Sequence, residues 1–254
     1  MILAIDIGNT NIAIGGYYGE DLRFVARIST DATKTADEYS SQILHMLSLY
    51  GLDRAEVKGA IISSVVPALN ASMMKAIKTI YGVDALIVGP GIKTGIGIHC
   101  DNPSSVGADL ICACVAAHYL HGSPSLIIDM GTATKMMVVD KNGAFIGVSI
   151  MPGVMMGLLG LSSGTAQLPQ VALDAPARVI GKNTADCMKS GAVYGNASMI
   201  DGMIDRFNAE YGEELPVYAT GGYSHSIIKH CKHDITIDEN LVLHGLYIIY
   251  KKNT

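Results

Sequence analysis

Two short stretches of similar composition, half a chain apart, hold the residues best suited to chemistry. Residues 3–10 read LAIDIGNT and residues 127–134 read IIDMGTAT. In each, an aspartate ends an apolar run and is followed by a glycine and by small hydroxyl or amide side chains. Glycine lets backbone N–H groups approach a phosphate, hydroxyl and amide groups add donors, and an aspartate beside a phosphate makes sense as a ligand of Mg²⁺ or its waters. Together the two stretches predict binding of a nucleotide triphosphate.

Each stretch alone also fits an ordinary hairpin turn, because Asp, Gly and Asn are common turn residues. Their recurrence in two halves with the same order of elements favours the phosphate-binding interpretation. Two other glycine-containing stretches do not fit known phosphate loops. VIGKNT at 179–184 has Pro176 where a P-loop needs its first glycine, and GPGIKTG at 89–95 lacks the Rossmann spacing.

Asp109 is the third candidate, because it directly precedes an unbroken run of Leu, Ile, Cys, Ala and Val. The run predicts a buried helix with Asp109 in its first turn. An aspartate at that position often caps a helix. A carboxylate there can equally act as a general base that takes a proton from a hydroxyl. The residue types alone leave both interpretations open.

The composition narrows the class of protein. Of 254 residues 49% are apolar and 16% are charged, with a formal net charge of −5, which excludes a disordered chain. There is no dense run of Lys and Arg, so nucleic acid and anionic membrane surfaces are poor candidates for partners, and small metabolites fit better. The five cysteines, an odd number, indicate a reducing compartment. We therefore expect a soluble, cytoplasmic protein.

One apolar stretch needs separate treatment. Residues 142–173 carry no charge, which raises the alternative of a membrane span. Pro152 and four glycines interrupt its apolar part, at 144–161. A buried strand, a Pro-Gly turn and a buried helix are therefore predicted here, and no membrane partner is expected.

The order of predicted elements explains how the candidate residues are positioned. Residues 2–6 and 12–14 predict a hairpin whose tip carries the first aspartate–glycine stretch, followed by a third strand and then by alternating helices and strands. The second half repeats strand, turn, strand, strand and helix around the second stretch. This indicates duplication of one α/β unit, with the Asp109 helix at the junction, where clefts usually form. The predicted domains are residues 1–118 and 119–254.

The whole set of motifs resembles the type III pantothenate kinase family, in the superfamily of actin-like ATPases, acetate kinases and sugar kinases. The resemblance rests on five collinear segments: DIGNT, GIKTG…DNPSSVGAD, DMGTAT, IMPG and ATGG. It implies an α/β chain of duplicated ribonuclease-H-like domains with a cleft between them, acting as a homodimer. It also implies ATP, Mg²⁺ and a monovalent cation (K⁺ or NH₄⁺), and the phosphorylation of pantothenate to 4′-phosphopantothenate, the first step of coenzyme A biosynthesis.

The resemblance also implies a role for each candidate residue. Asp109 would be the general base, Asp6 would hold Mg²⁺ and Asp129 the monovalent cation. The residues implied at ATP and its phosphates are Asp6, Gly8, Asn9, Thr10, Gly131, Thr132, Thr134, Gly221 and Gly222. The residues implied near pantothenate are Cys100, Gly107, Thr165 and Thr184. Thr184 can equally cap the helix that follows it.

Four residues depart from the family pattern: Leu110 stands for an arginine, Cys100 for a tyrosine, Lys135 for a threonine and Val148 for a glycine. Phosphate-side residues are kept while substrate-side residues change. One hypothesis is a pantothenate kinase of altered affinity, in which Lys135 supplies the charge of the missing arginine, or a kinase for another small hydroxylated substrate. The other is a nucleotide-binding relative that has lost the reaction and has a regulatory role. Retention of Asp6, Asp109 and Asp129 favours an enzyme.

Overall fold

The computed structural model describes the whole chain, residues 1–254. The chain divides into two compact units, which we call unit 1 (Met1–His121 with Asn240–Thr254) and unit 2 (Gly122–Glu239). Each unit is built on a mixed five-stranded sheet, so the predicted α/β class with two domains is confirmed. No helix combines the length and apolar character that crossing a membrane requires. The cleft predicted between the two halves stays a prediction.

Unit 1 begins with an antiparallel meander and continues with strands parallel to its first strand. Its strands are β1 (Ile2–Ile7), β2 (Asn11–Tyr18), β3 (Asp21–Ser29), β4 (Gly59–Ser64) and β5 (Ala85–Ile87). The sheet order is β3-β2-β1-β4-β5, with β4 parallel to β1 and β5 parallel to β4. Its helices up to the junction are α1 (Ala36–Leu49), α2 (Pro67–Tyr81) and α3 (Ala108–Ala116), and a π-helical turn at Ala117–His121 extends α3.

Unit 2 repeats this topology strand by strand. Its strands are β6 (Ser125–Met130), β7 (Ala133–Val139), β8 (Phe145–Pro152), β9 (Val217–Thr220) and β10 (Thr236–Ile237). The order β10-β9-β6-β7-β8 matches that of unit 1 when β6 stands for β1 and β9 for β4. Its helices are α4 (Val154–Gly164), α5 (Thr184–Ser190), α6 (Asn196–Tyr211) and α7 (Ser224–Ile227). The predicted duplication is confirmed, and both hairpin tips carry an aspartate–glycine stretch.

The alternation of side chains along β1 decides which residues reach the core and which reach α3. Leu3 and Ile5 belong to a fully buried cluster with residues of α1 and α2. Residues 4 and 6 point to the opposite face, because successive strand residues alternate. Ala4 is completely buried on that face, and α3 contacts the sheet at β4. The sequence therefore directs Asp6, at the end of β1, to the face that α3 covers.

Local signals at the helix ends agree with the predicted elements. The Thr35 side chain accepts a hydrogen bond from the Glu38 N–H while Glu38 reaches back to the Thr35 N–H, a capping box that starts α1. Pro67 stands in the first turn of α2, and Gly82 ends it with a φ of 71°.

The last helix, α8 (Leu241–Asn253), was not predicted, and it returns to unit 1. It packs on α3 at Gly245, where a Cβ would lie 1.8 Å from the carbonyl oxygen of Cys112. Tyr17 of β2 stacks on Tyr247 at 4.2 Å between ring centroids and hydrogen-bonds to His244 at 2.8 Å. The observed division therefore differs from the predicted one at 118/119: the junction lies at residue 121, and residues 240–254 belong with the first unit because their contacts are there.

Candidate active site

The tip of the β1–β2 hairpin is a loop held from both sides. The Gly8 N–H donates to the Asn11 carbonyl oxygen at 3.0 Å, which closes the turn. Thr30, which follows β3, donates from its Oγ1 to the Gly8 oxygen at 2.6 Å and from its N–H to the Thr10 oxygen at 3.0 Å. Asn9 and Thr10 are exposed at the tip. The Gly8 N–H is thus hydrogen-bonded within the turn, whereas the Asn9 and Thr10 side chains are exposed to solvent.

Asp6 and Asp109 both act electrostatically on one buried thiol. Cys112 on α3 is completely buried. Burial raises the pKa of its thiol well above the ordinary value, and the negative charges of Asp6 and then of Asp109 raise it further. Both carboxylates therefore lie within electrostatic range of the same group in unit 1. The thiol stays protonated at neutral pH and adds no negative charge beneath them.

The position of Asp109 excludes the capping interpretation, while the general-base role stays a prediction. The N-cap of α3 is Gly107, so Asp109 lies one step inside the first turn and does not cap the helix. A Cβ at Gly107 would lie 2.5 Å from Asp109 Oδ1, so a side chain at 107 would displace the carboxylate from its present position. Gly107, predicted beside the substrate, thus borders Asp109. The carboxylate also benefits from the positive end of the helix dipole.

Two of the departures from the family pattern lie near this helix. Leu110 is only 6% exposed and packs inside unit 1. Cys100 is partly buried in the irregular segment between β5 and α3. A 3₁₀ turn at Pro103–Ser105 follows it, and Asn102 accepts hydrogen bonds there from Ser104 and Ser105. Leu110 thus contributes to packing, whereas the arginine of the family pattern would place a charge at this position.

The hairpin tip of unit 2 repeats the first loop with one residue fewer. The Gly131 N–H donates to the Ala133 carbonyl oxygen at 3.1 Å, as Gly8 does in unit 1. Thr132 is exposed at the tip. Thr134, predicted at a phosphate, is only 1% exposed, and its Oγ1 is buried without a hydrogen-bond partner. The structure brings Thr132 to the surface of the loop but turns Thr134 into the interior, because alternation along β7 puts it on the core face.

Asp129 lies opposite Lys135 across the same hairpin. Their Oδ2 and Nζ atoms are 2.6 Å apart, and the side chains are 14% and 17% exposed. Both residues stand out in the sequence, but their ion pair was not predicted. A carboxylate held by an ammonium is a different electrostatic site from the one at Asp6, which lies opposite Ala13.

Three of the quoted motifs meet at the second loop. A Cβ at Gly153, in the IMPG segment, would lie 2.2 Å from the Thr132 carbonyl oxygen. A Cβ at Gly221, in the ATGG segment, would lie 2.6 Å from the Met130 backbone, and Gly221 has a φ of 93°. The exposed Gly222 has nothing within 4 Å of a Cβ, so its side of the turn is open. Gly221 therefore shapes the loop, and Gly222 borders open space.

The remaining predicted residues lie elsewhere in unit 2. Thr165 follows α4 and donates from its Oγ1 to the Leu161 carbonyl oxygen at 2.8 Å. Thr184 is exposed at the start of α5, but the cap of that helix is Asn183, whose side chain accepts from the Asp186 N–H. The capping alternative for Thr184 is thus wrong. Val148 is half-buried on β8, opposite Met137 of β7.

Comparisons with known proteins agree with this architecture. The family described as Type III pantothenate kinase matches residues 2–206. Type III pantothenate kinase of Moorella thermoacetica is 40% identical over 254 residues, covering 100% of both chains. That of Exiguobacterium sp. is 41% identical over 253 residues, covering 100% of this chain and 99% of the relative.

A solved structure described as a putative 2-dehydro-3-deoxygalactonokinase from Sinorhizobium meliloti shares the fold. Its TM-score is 0.64 at 13% identity, covering 99% of this chain and 96% of that one. At this identity the likeness concerns the fold, and it agrees with the duplicated α/β units. The family match and the full-length relatives carry the assignment further. The chain belongs to the type III pantothenate kinase family.

Proposed function

We propose that this chain transfers the γ-phosphoryl group of ATP to the primary hydroxyl of pantothenate, which gives 4′-phosphopantothenate in the first step of coenzyme A biosynthesis. The observation that carries the proposal is that Asp6, at the end of β1, and Asp109, in the first turn of α3, both lie within electrostatic range of Cys112. Phosphoryl transfer needs a carboxylate that holds the metal and a group that takes the hydroxyl proton, both at one site. Identity of 40% and 41% to type III pantothenate kinases supports pantothenate as the acceptor.

The first loop fits Mg²⁺ because the Asp6 carboxylate offers hard oxygens, while the Asn9 amide and the Thr10 hydroxyl at the exposed tip are left for the phosphates. Bound Mg²⁺ would neutralise charge on the phosphates during transfer. Asn9 and Thr10 donate hydrogen bonds to phosphate oxygens, and Thr132 does so from the second loop. The neutral Cys112 thiol supports this arrangement, because a thiolate there would repel the phosphates.

Asp109 acts as the general base. Its carboxylate accepts the hydroxyl proton of pantothenate as the new O–P bond forms and the bond from the γ-phosphorus to the bridging oxygen of ATP breaks. The first turn of α3 fixes the backbone that carries this carboxylate, and Gly107 leaves space beside it. Such a fixed base contributes about 10²–10⁴-fold to the rate.

The other site residues complete the proposal. Adenosine approaches the turn at Gly222, where the surface is open. Cys100, Thr165 and Thr184 contact pantothenate. The Lys135 ammonium adds a positive charge to the site, beside the Asp129 carboxylate.

We propose a homodimer that works in the cytoplasm. The β8–α4 region supports it, since Ile150, Met156 and Leu159 are 65%, 49% and 52% exposed in a stretch without charges. Monomeric proteins rarely leave several large apolar side chains together on the surface. A second copy of the same chain is the partner that covers them.

Product analysis by mass spectrometry tests the proposed reaction. Purified protein is incubated with Mg·ATP and pantothenate, beside an Asp109→Asn variant. We expect phosphopantothenate from the intact protein and a rate at least about 10²-fold lower from the variant, whose ATP affinity stays close to that of the intact protein. A fluorescent ATP analogue measures that affinity.

Two outcomes would contradict parts of the proposal. Equal loss of ATP binding and turnover in Asp109→Asn would refute the general-base role. ATP binding without phosphopantothenate would refute the substrate, and a panel of other small hydroxylated compounds would then separate a kinase of different specificity from a nucleotide-binding regulator.

A further inference from the structure

Lys135 and Asp129 form a fixed ion pair beside the second loop. The two residues face each other directly in the antiparallel register of β6 and β7, so their side chains leave the sheet on one face. Nζ lies 2.6 Å from Oδ2, and the side chains are only 17% and 14% exposed. The ammonium is thus a constant part of the site, and solvent screens it little.

The same carboxylate also borders the loop. A Cβ at Gly131 would lie 3.6 Å from Asp129 Oδ1, so this oxygen lies next to the loop glycine while Oδ2 contacts the ammonium. Thr132, the exposed residue of the loop, follows directly. The Asp129 carboxylate therefore lies between the Lys135 ammonium and the loop where we propose that a phosphate binds.

The duplicated loop in unit 1 provides an internal comparison. Asp6 has the same place at the end of β1, but the residue opposite it on β2 is Ala13. Ala13 carries no charge, so β2 places no cation opposite Asp6. At the matched position in unit 2 the lysine brings its own cation.

These contacts do not fit a bound monovalent ion. A lysine ammonium has the charge and the N–H donors of NH₄⁺ on a tethered stem. A K⁺ or NH₄⁺ ion at Asp129 would share the carboxylate with Nζ, and the two like charges would repel each other at short range in a partly buried place.

We propose that the Lys135 ammonium takes the place of the monovalent cation expected at Asp129, so that this chain neither binds nor requires K⁺ or NH₄⁺ there. The claim that activity does not require K⁺ or NH₄⁺ rests on the proposed function. The claim that neither ion binds at Asp129 does not. Replacing Lys135 by threonine, the residue that the family usually has, removes the tethered cation and leaves Asp129 open to a free one.

The first experiment measures binding without activity. The thermal unfolding midpoint of the wild type, of Lys135→Thr and of Lys229→Thr is followed in KCl and in tetramethylammonium chloride at equal concentration. Lys229 is an exposed lysine of the same unit, so its variant controls for loss of a positive charge. We expect a K⁺-dependent rise in the midpoint for Lys135→Thr alone, because an ion that binds the folded state stabilises it.

The second experiment measures the rate of phosphopantothenate formation in the same two salts. The wild type and Lys229→Thr should change by less than about twofold between them. Lys135→Thr should be slow in tetramethylammonium chloride and at least about tenfold faster in KCl, which corresponds to recovery of one charge interaction in the site.

A wild type that K⁺ stabilises or activates, while tetramethylammonium does not, would overturn the proposal. A folded Lys135→Thr variant that responds to neither salt would also overturn it. If that variant does not fold, Lys135→Met, which keeps most of the aliphatic stem, takes its place in both experiments. Absence of product in every salt would instead refute the proposed function, and the unfolding midpoints would still decide the role of Lys135.

Discussion

Threonines two positions apart in the second loop face different surroundings. Thr132 is exposed at the tip, whereas Thr134 lies on the core face of β7 beside the fully buried Met136. The Thr134 hydroxyl has no hydrogen-bond partner there, and a buried unpaired hydroxyl costs free energy. Of the two, only Thr132 is exposed at the loop, and its contact with phosphate stays a prediction.

Valine at each position separates the two roles. Thr134→Val should leave the KM for ATP within about twofold and raise the free energy of unfolding by about 1 kcal/mol, because the unpaired hydroxyl is lost. Thr132→Val should raise the KM for ATP by about tenfold or more, through loss of a hydrogen bond to a charged group. Steady-state kinetics and urea unfolding measure both. An ATP defect in Thr134→Val equal to that of Thr132→Val would show that Thr134 also reaches the phosphates.

The sequence carried part of this information. The residues of both loops, and Asp109, were identified from motifs, and the charge of Lys135 was recognised as unusual. Lys135 pairs with Asp129 because a tight turn joins the two strands and places these residues, six apart in sequence, opposite each other. Thr134 points inward because successive side chains of β7 alternate between the two faces of the sheet, and Lys135 lies with Asp129 on the outer one. The role of Thr30 carried no motif, since its contacts with Gly8 depend on where β3 ends.

At the scale of elements, glycines decide how closely the turns of unit 2 approach one another. The turn after β9 and the turn before α4 both rest on the backbone of residues 130–132, which leaves no space for a Cβ at Gly221 or Gly153. Gly222, the next residue, meets no atom. Packing therefore excludes a side chain at Gly221, whereas it does not at the adjacent Gly222.

Alanine substitutions at the two positions test this difference. Gly221→Ala should lower the free energy of unfolding by at least about 2 kcal/mol, because φ is positive and the Met130 backbone blocks the Cβ. Gly222→Ala should change that free energy by less than about 0.5 kcal/mol but raise the KM for ATP, since a methyl group enters the proposed adenosine surface. Denaturant unfolding and kinetics measure the two effects. Unchanged ATP affinity in Gly222→Ala would move the adenosine elsewhere.

Elements with local signals were predictable, and those fixed by distant contacts were not. The hairpins alternate regularly and α1 has a complete capping box, so both were found. The N-cap residue of α8, Asn240, makes no side-chain capping hydrogen bond. The position of the helix is explained instead by the close approach of Gly245 to Cys112, which lies 133 residues earlier in the chain. No local pattern reports such a contact, which is why residues 240–254 were assigned to the wrong unit.

For the molecule as a whole, the unexplained feature is the apolar surface of β8 and α4. Met156 and Leu159 are half exposed and lie three residues apart, so they share one helix face. The stretch from 142 to 173 has no charge that would keep another chain away. A patch that pairs with itself about a two-fold axis is the usual basis of a homodimer.

Charges placed in this patch should dissociate the proposed dimer. We expect the wild type to sediment with twice the mass of the chain, and Met156→Glu combined with Leu159→Glu to sediment as a monomer at micromolar concentration, because burying two carboxylates per chain against apolar neighbours is costly. Leu49→Glu, at an exposed leucine of α1 in unit 1, is the matched control and should remain dimeric. A wild-type monomer, or a dimer that survives both glutamates, would mean that this surface is not the one that joins two copies. The far-ultraviolet circular dichroism of each variant must match that of the wild type, so that loss of the dimer reports on the surface and not on the fold.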